Sequence, residues 1–204
     1  MPSPSPALII MIKNPIPGKT KTRLAASVGN DVALKMYGVL TNWTREQTTG
    51  LGDDVTRYLY YSDHISSDDA WPEVHFDKRL QRGDDLGARM ENAFGEAFER
   101  GHDRIIIIGT DCPGMTTQYL ADSFRALATC DLVVGPALDG GYTLLGMTKP
   151  NPELFREMTW STERVLPETL KRAAELSLQV NEQAPLSDVD HLEDWHSYGW
   201  TVPS

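Results

Sequence analysis

Four aspartates and one basic loop carry the chemistry this sequence could perform. Asp111 lies just past residues 105–108, four consecutive isoleucines. An unbroken apolar run suits a strand covered on both faces, near the middle of a mostly parallel sheet. A carboxylate beyond the carboxyl end of such a strand stands where open α/β sheets bind ligands. The competing role for Asp111, capping the next helix, falls better to Thr116. Asp139 opens Asp139-Gly140-Gly141, which suits both a tight hairpin turn and close backbone approach to a ligand. Asp188 and Asp190 lie in a polar stretch, where a surface loop and a ligand set are equally open readings. Mg²⁺ takes one or two protein carboxylates and completes its octahedron with water and phosphate oxygens, so aspartates from separate strand ends could converge on it.

The basic loop covers residues 14–24, with Lys19, Lys21 and Arg23 at alternate positions after Pro17-Gly18. It can offer backbone N–H groups and several cations to phosphate oxygens. It is not a Walker A loop, which would need glycine where Lys13 stands, and no GxGxxG occurs. A merely solvated basic turn is disfavoured by three cations beside a strand end in an acidic chain. A third region holds Gln81, which could hydrogen-bond a base or acceptor edge. Arg89 defaults to a solvated helix face. Trp160 defaults to a half-buried aromatic, though it could line a pocket.

The elements that must position these groups alternate between strand and helix. Strands are expected at 7–12, 55–61, 74–76, 105–108, 132–135, 142–147 and 178–180. A helix over 30–47, capped by Asn30, presents Val32, Met36, Val39, Leu40 and Trp43 on one face. A second, opened by Asp84 or Asp85 and running to residue 100, has the stripe Leu86, Met90, Phe94, Ala97 and Phe98, expected to be core without chemistry. Two more are expected at 117–127 and at 161–176, the latter capped by Ser161 with Leu166, Leu170, Ala173 and Ala174 inward. This alternation predicts an α/β fold, a mostly parallel sheet with helices on both faces. A Pro/Ser leader over 1–6 is expected to be disordered, ahead of a single domain over 7–204.

Composition narrows the partners. The chain has 204 residues and a formal net charge of -10, which argues against a nucleic-acid polymer or an anionic membrane. A small phosphorylated ligand stays open, because a local basic loop can oppose the global sign. Two cysteines, Cys112 and Cys130, weigh against a disulfide framework, and Cys112 reads as a small buried residue. CxxC, HxxxH and HExxH spacings are lacking, which weighs against zinc. The start lacks signal-peptide character and no apolar run reaches membrane-spanning length, so the cytoplasm is the expected address.

The motifs PxPGxxKTRL, QxGxDLGxRM, IGTDCPG, GPxxDGGYxLxG, WSTE and a closing DVD, in this order over residues 7–195, resemble a bacterial GT-A-type glycosyltransferase family. It is an uncharacterised conserved family of nucleotide-diphospho-sugar transferase type. The resemblance implies a three-layer α/β/α GT-A fold that binds its nucleotide at the loop after the first strand. It implies that Asp111 holds a divalent metal, Mg²⁺ or Mn²⁺, with Asp190 as second ligand. Lys19, Lys21 and Arg23 would face the donor phosphates, with Pro17, Gly18, Gln81, Gly140 and Gly141 also on the nucleotide. Asp111, Asp139 and Lys21 would be the catalytic set, Asp139 as base for an acceptor hydroxyl. The family's closing DVDT or DIDT has His191 here in place of Thr, so either Asp188 or Asp190 could serve at the second metal position. The implied activity is transfer of a glycosyl or nucleotidyl group from a nucleotide or nucleotide-sugar to a small acceptor. The basic loop also resembles the pyrophosphate-holding loop of the molybdopterin and phospholactate guanylyltransferases. That likeness favours release of pyrophosphate from a triphosphate such as CTP or GTP. An inactive nucleotide-sugar-binding scaffold is the reading from a different class.

Overall fold

The four isoleucines belong to β4 (Arg104–Ile108), which lies parallel to β1 (Pro6–Ile12) with Ile10 level with Ile108. The computed structural model describes residues 5–203. On its other side β1 pairs in parallel with β2 (Thr56–Tyr61), and β2 with β3 (Asp77–Leu80). Beyond β4 comes β6 (Tyr142–Met147), antiparallel to β4 and to β5 (Leu132–Pro136). Strand β7 (Val180–Glu182) closes that edge in parallel with β5. The seven-stranded order is β3-β2-β1-β4-β6-β5-β7. The β5–β6 connection is short, and a short connection joins antiparallel strands only.

Helices cover both faces. On one, Leu8, Ile10, Ile106 and Ile108 share a core with Tyr37 of α2 (Asn30–Thr49) and Leu120 and Phe124 of α4 (Thr117–Ala126). On the other, Ile9, Ile105 and Ile107 meet Met90 and Phe94 of α3 (Leu86–Glu99) and Ala173 of α5 (Val165–Glu175). Alternate residues therefore enter two different cores, which explains why β1 and β4 are apolar throughout. A third cluster joins Leu24 of α1 (Thr22–Val28), Met36 and Leu40 of α2, Val189, and Trp195 of α6 (Leu192–Ser197). The chain leaves β1 toward β2 on one side, while β4 lies on the other. The strand order reverses there, and the crevice outside the carboxyl ends of β1 and β4 is the place where such sheets take ligands.

Several expectations are corrected. Residues 1–4 of the expected leader lie outside the described residues, and Pro6 of the same stretch opens β1, level with Arg104. Residues 74–76 form a turn rather than a strand: Val74 is 82% exposed, Phe76 is buried edge-on to Trp71, and the edge strand starts at Asp77. Helix α1 begins at Thr22, within a stretch expected to be irregular, because Leu24 gives the short segment tertiary support. Asn30 does not cap α2. Gly29 does, with φ 84, since α1 hands over to α2 through that single residue. The buried face of α2 carries Ala33, Met36, Tyr37 and Leu40, leaving Val39 exposed. Ser161 does not cap α5. Its φ of 61 is left-handed, and the helix starts at Val165, with Ala174 outward. The expected strand over 178–180 starts at Val180 instead. Thr116 caps α4, accepting from Tyr119 N at 3.2 Å, and Asp85 caps α3, accepting from Ala88 N at 2.8 Å. Among the described residues no helix is long and apolar enough to cross a membrane.

Trp195 is 1% exposed and ties α6 to α1 and α2. Trp195→Ala is expected to lower stability by about 3–5 kcal/mol, read from urea unfolding at unchanged denaturant slope.

Candidate active site

The register that sets Ile10 beside Ile108 brings the loop after β1 alongside the turn holding Asp111. Asn14 anchors the first of these loops. Its side chain is buried, donating from Nδ2 to His64 O at 2.9 Å and accepting at Oδ1 from Asp63 N at 2.9 Å. Thr20 Oγ1 donates to Asn14 O at 2.8 Å and accepts from Ile16 N at 3.1 Å, while Gly18 turns the chain with φ 72. Lys21 then adopts φ 53, a left-handed conformation uncommon for a residue with a Cβ. The consequence is a lysine side chain only 5% exposed. Its Nζ lies 3.1 Å from Asp111 Oδ2 and 3.7 Å from Asp190 Oδ1, and donates to Val189 O at 2.5 Å. Arg23 Nη1 donates to Asp190 Oδ2 at 2.8 Å.

The closing DVD segment is fixed from both ends. Val189 N donates to Asp111 O at 2.8 Å. Asp190 N and His191 N both donate to Asp194 Oδ2, at 3.0 and 2.7 Å. His191 is the N-cap of α6 and forms a capping box with Asp194. The histidine standing where the resembling family has Thr occupies the N-cap position with its backbone N–H on Asp194, and Asp190 lies beside Lys21 and Arg23.

A cavity of about 650 Å³ opens over these groups. Four cations line it, Lys13, Lys19, Lys21 and Arg23, against five carboxylates, Asp111, Asp139, Glu163, Asp188 and Asp190. A second cavity of about 290 Å³ continues under α3, with Gln81, Met90, Ile107 and Thr143 in its wall. Lys13, Leu86, Asp111, Tyr142 and Asp188 line both. Burial, with the Asp111 charge next, pushes the Asp188 carboxyl up to about 7; Lys21 opposes this, and Asp190 and Asp139 add to it. Carboxylates from three separate segments thus lie close enough to repel one another.

The expected residues are therefore partly gathered. Lys19, Lys21, Arg23, Asp111, Asp139, Gly141 and Asp190 line the larger cavity. Gln81 lines the smaller one, but its Nε2 is spent on Ile12 O at 3.2 Å and Tyr60 O at 2.9 Å, which leaves the amide oxygen for a ligand. Pro17, Gly18 and Gly140 do not line either cavity and act on the shape of the loops. Asp139 serves its turn by accepting from Gly141 N at 3.0 Å, and it also lines the cavity. Trp160 packs over Gly87, where a Cβ would come within 2.5 Å of the indole, and also lines the cavity. Arg89 is not a purely solvated residue: Nε donates to Gly83 O at 3.1 Å, and the side chain lines the smaller cavity. Leu86 corrects the reading of the α3 stripe as core alone, being 45% exposed at the mouth of both cavities. Lys13 and Tyr142 were not singled out by sequence. The signal for Lys13 was its position immediately after a buried strand.

Among the described residues no three His, Cys, Asp or Glu side chains assemble a protein-only metal cage. The set does fit a hard divalent cation that takes few protein ligands. Asp111 Oδ2 contacts Lys21, whereas Asp111 Oδ1 is buried and has no hydrogen-bond partner among the described residues. An unsatisfied buried carboxylate oxygen is costly unless a cation or donor meets it.

A family model for uncharacterized proteins conserved in bacteria (DUF2064) matches residues 47–162, more than half of the chain. The chain belongs to this family. No curated protein matches it. Among solved structures, this DUF2064 member is similar to a Desulfovibrio desulfuricans G20 protein provisionally described as a nucleotide-diphospho-sugar transferase. The two are 30% identical over 92% of this chain and 83% of the other, with a TM-score of 0.84. A cytidylyltransferase from Leptospira borgpetersenii serovar Hardjo-bovis is 13% identical over 96% of this chain and 85% of its own, TM-score 0.58. The manganese complex of Rv0371c from Mycobacterium tuberculosis H37Rv is 14% identical over 95% and 97%, TM-score 0.54. At those identities the last two share the fold alone. The α/β/α architecture implied by the sequence resemblance is the one observed.

Gly140 has φ 89, and a Cβ there would come within 2.5 Å of the Glu163 carbonyl oxygen. Gly140→Ala is expected to cost about 2 kcal/mol and to lower Tm by about 4–8 °C, measured by calorimetry.

Proposed function

We propose that this protein is a divalent-metal-dependent transferase whose donor is a nucleotide or nucleotide-sugar, moving a glycosyl or nucleotidyl group to a small acceptor. The observation that carries the reading is Asp111: one oxygen on Lys21, the other buried and unpartnered, at the switch point of the sheet. The cavity's charge supports it. Five carboxylates against four cations would repel a polyphosphate, and a divalent cation reverses that balance. Mg²⁺ or Mn²⁺, held by Asp111 and Asp190, would supply neutralisation of charge on the departing phosphates.

The side chains have separable tasks in this reading. Lys19 and Arg23, at the cavity rim, bind and orient donor phosphates. Lys21 holds the two aspartates in one geometry and offers a preorganised positive charge toward the same oxygens. Asp139, on the hairpin turn across the cavity, takes the proton of an acceptor hydroxyl. In nucleotidyl transfer the acceptor oxygen bonds to the α-phosphorus, the bond to the β-phosphate oxygen breaks, and pyrophosphate leaves. In glycosyl transfer the acceptor oxygen bonds to the anomeric carbon, the bond to the β-phosphate oxygen breaks, and a nucleoside diphosphate leaves. The three loop cations that line one cavity with Asp111 favour the first, while the description of the Desulfovibrio protein favours the second. An inactive scaffold is disfavoured, because Asp111, Asp139 and Asp190 line one cavity. We place the reaction in the cytoplasm, where nucleotides and Mg²⁺ are supplied.

Purified protein supplied with Mg²⁺ is expected to release pyrophosphate from a nucleoside triphosphate, or nucleoside diphosphate from a sugar nucleotide, and to stop in EDTA. Asp111→Asn is expected to reduce turnover at least about 100-fold with Tm preserved. Full activity in that variant, or in EDTA, would overturn the reading.

A further inference from the structure

Among the described residues, Lys13 is the one basic residue that lines both cavities. Its side chain makes no hydrogen bond or ion pair among the described residues, whereas Lys21 and Arg23 are engaged by carboxylates. Its backbone, by contrast, is clamped. The Tyr37 hydroxyl accepts from Lys13 N at 3.0 Å and donates to Lys13 O at 2.9 Å, and lies 3.3 Å from Thr110 Oγ1. One buried phenol thus sets the end of β1 against the end of β4. The other residues common to both cavities are Leu86, Tyr142, Asp111 and Asp188, two apolar surfaces and two acids. An anionic group at that junction meets Lys13 directly, while Lys21 lies against Asp111 and Arg89 lines the smaller cavity alone.

We propose that Lys13 binds the phosphate that joins the nucleoside to the rest of the donor. The inference rests on the nucleotide reading above. The smaller cavity, walled by Met90 and Ile107 with the Gln81 amide oxygen as acceptor, takes the base. The larger, with Lys19, Lys21 and Arg23, takes the outer phosphate and the transferred group. A chain of atoms running from one to the other crosses the junction at its first phosphate. Lys13 then fixes the register of the donor, because it selects which phosphate stops there, and the acidic neighbours make a neutral side chain at this position unfavourable for any anion.

The test uses the full chain in EDTA, which removes the metal's contribution, and compares each nucleoside with its 5′-monophosphate (C, G, U and A) by calorimetric titration. Wild type is expected to bind one monophosphate at least about tenfold more tightly than its nucleoside. Lys13→Met is expected to cancel that increment, to leave nucleoside affinity unchanged, and to keep the wild-type Tm. Lys13→Arg, which retains the charge, is expected to keep most of the increment. If Lys13→Met bound monophosphate and nucleoside as wild type does, Lys13 would not be the phosphate contact, although the nucleotide reading would stand. If wild type bound none of the eight compounds, nor any triphosphate or sugar nucleotide with Mg²⁺ restored, both inferences would fall.

Discussion

The ammonium of Lys21, held 3.1 Å from Asp111 and 3.7 Å from Asp190, joins three segments that are remote in the chain. It is largely withdrawn from water, and a buried charge is tolerable only with partners that compensate its lost hydration. The two carboxylates and the Val189 carbonyl provide that compensation. In exchange the backbone at Lys21 accepts a left-handed conformation, a strain of order 1 kcal/mol or more that the surrounding contacts must offset. This arrangement helps hold the loop after β1 against the turn that follows β4, and keeps Asp190 beside the cavity.

Packing makes the arrangement specific. Leu24, one turn beyond Lys21, enters the same apolar cluster as Trp195 and Val189. The segment that supplies the cation and the segment that supplies Asp190 therefore share a core as well as a charge interaction. Asp194 adds a third restraint by accepting from Asp190 N. Burial and electrostatics act on the same few residues here, and neither would suffice alone: an exposed ion pair contributes about 1 kcal/mol or less, and an apolar cluster has no preference for which polar atoms sit at its rim.

The net charge of -10 and the nearly balanced charge of the cavity illustrate two scales of electrostatics. The global field repels polyanions such as nucleic acids. Locally, cations on one loop and carboxylates on four other segments leave a site that, in the proposed reading, takes a polyphosphate only together with a divalent cation. Leu86, Tyr142 and the α3 face add an apolar wall beside this polar one, a combination suited to a ligand with a flat ring at one end and phosphate at the other.

Local composition was enough to locate the sheet's centre. Residues 7–12 and 105–108 had to be buried on both faces, because nothing in them is polar, and this placed Asp111 at a carboxyl strand end. It determined the Thr116 cap, the Asp-Gly-Gly hairpin turn and the basic character of the β1 loop, since each depends on local chemistry. Which groups meet was settled by long-range contacts. Lys21 reads as one of three alternating cations, and its inward turn follows from a backbone angle that tertiary contacts impose. The start of helix α1 read as loop because its stability comes from Leu24's distant partners. Leu86 read as core because helical period cannot tell a face that meets a sheet from one that ends at a cavity. Asp188 and Asp190 could not be separated from surface aspartates until Val189 was seen bonded to Asp111 O. Periodicity and capping are short-range, so a chain displays them; charge compensation across 167 residues of separation exists only once the chain has folded.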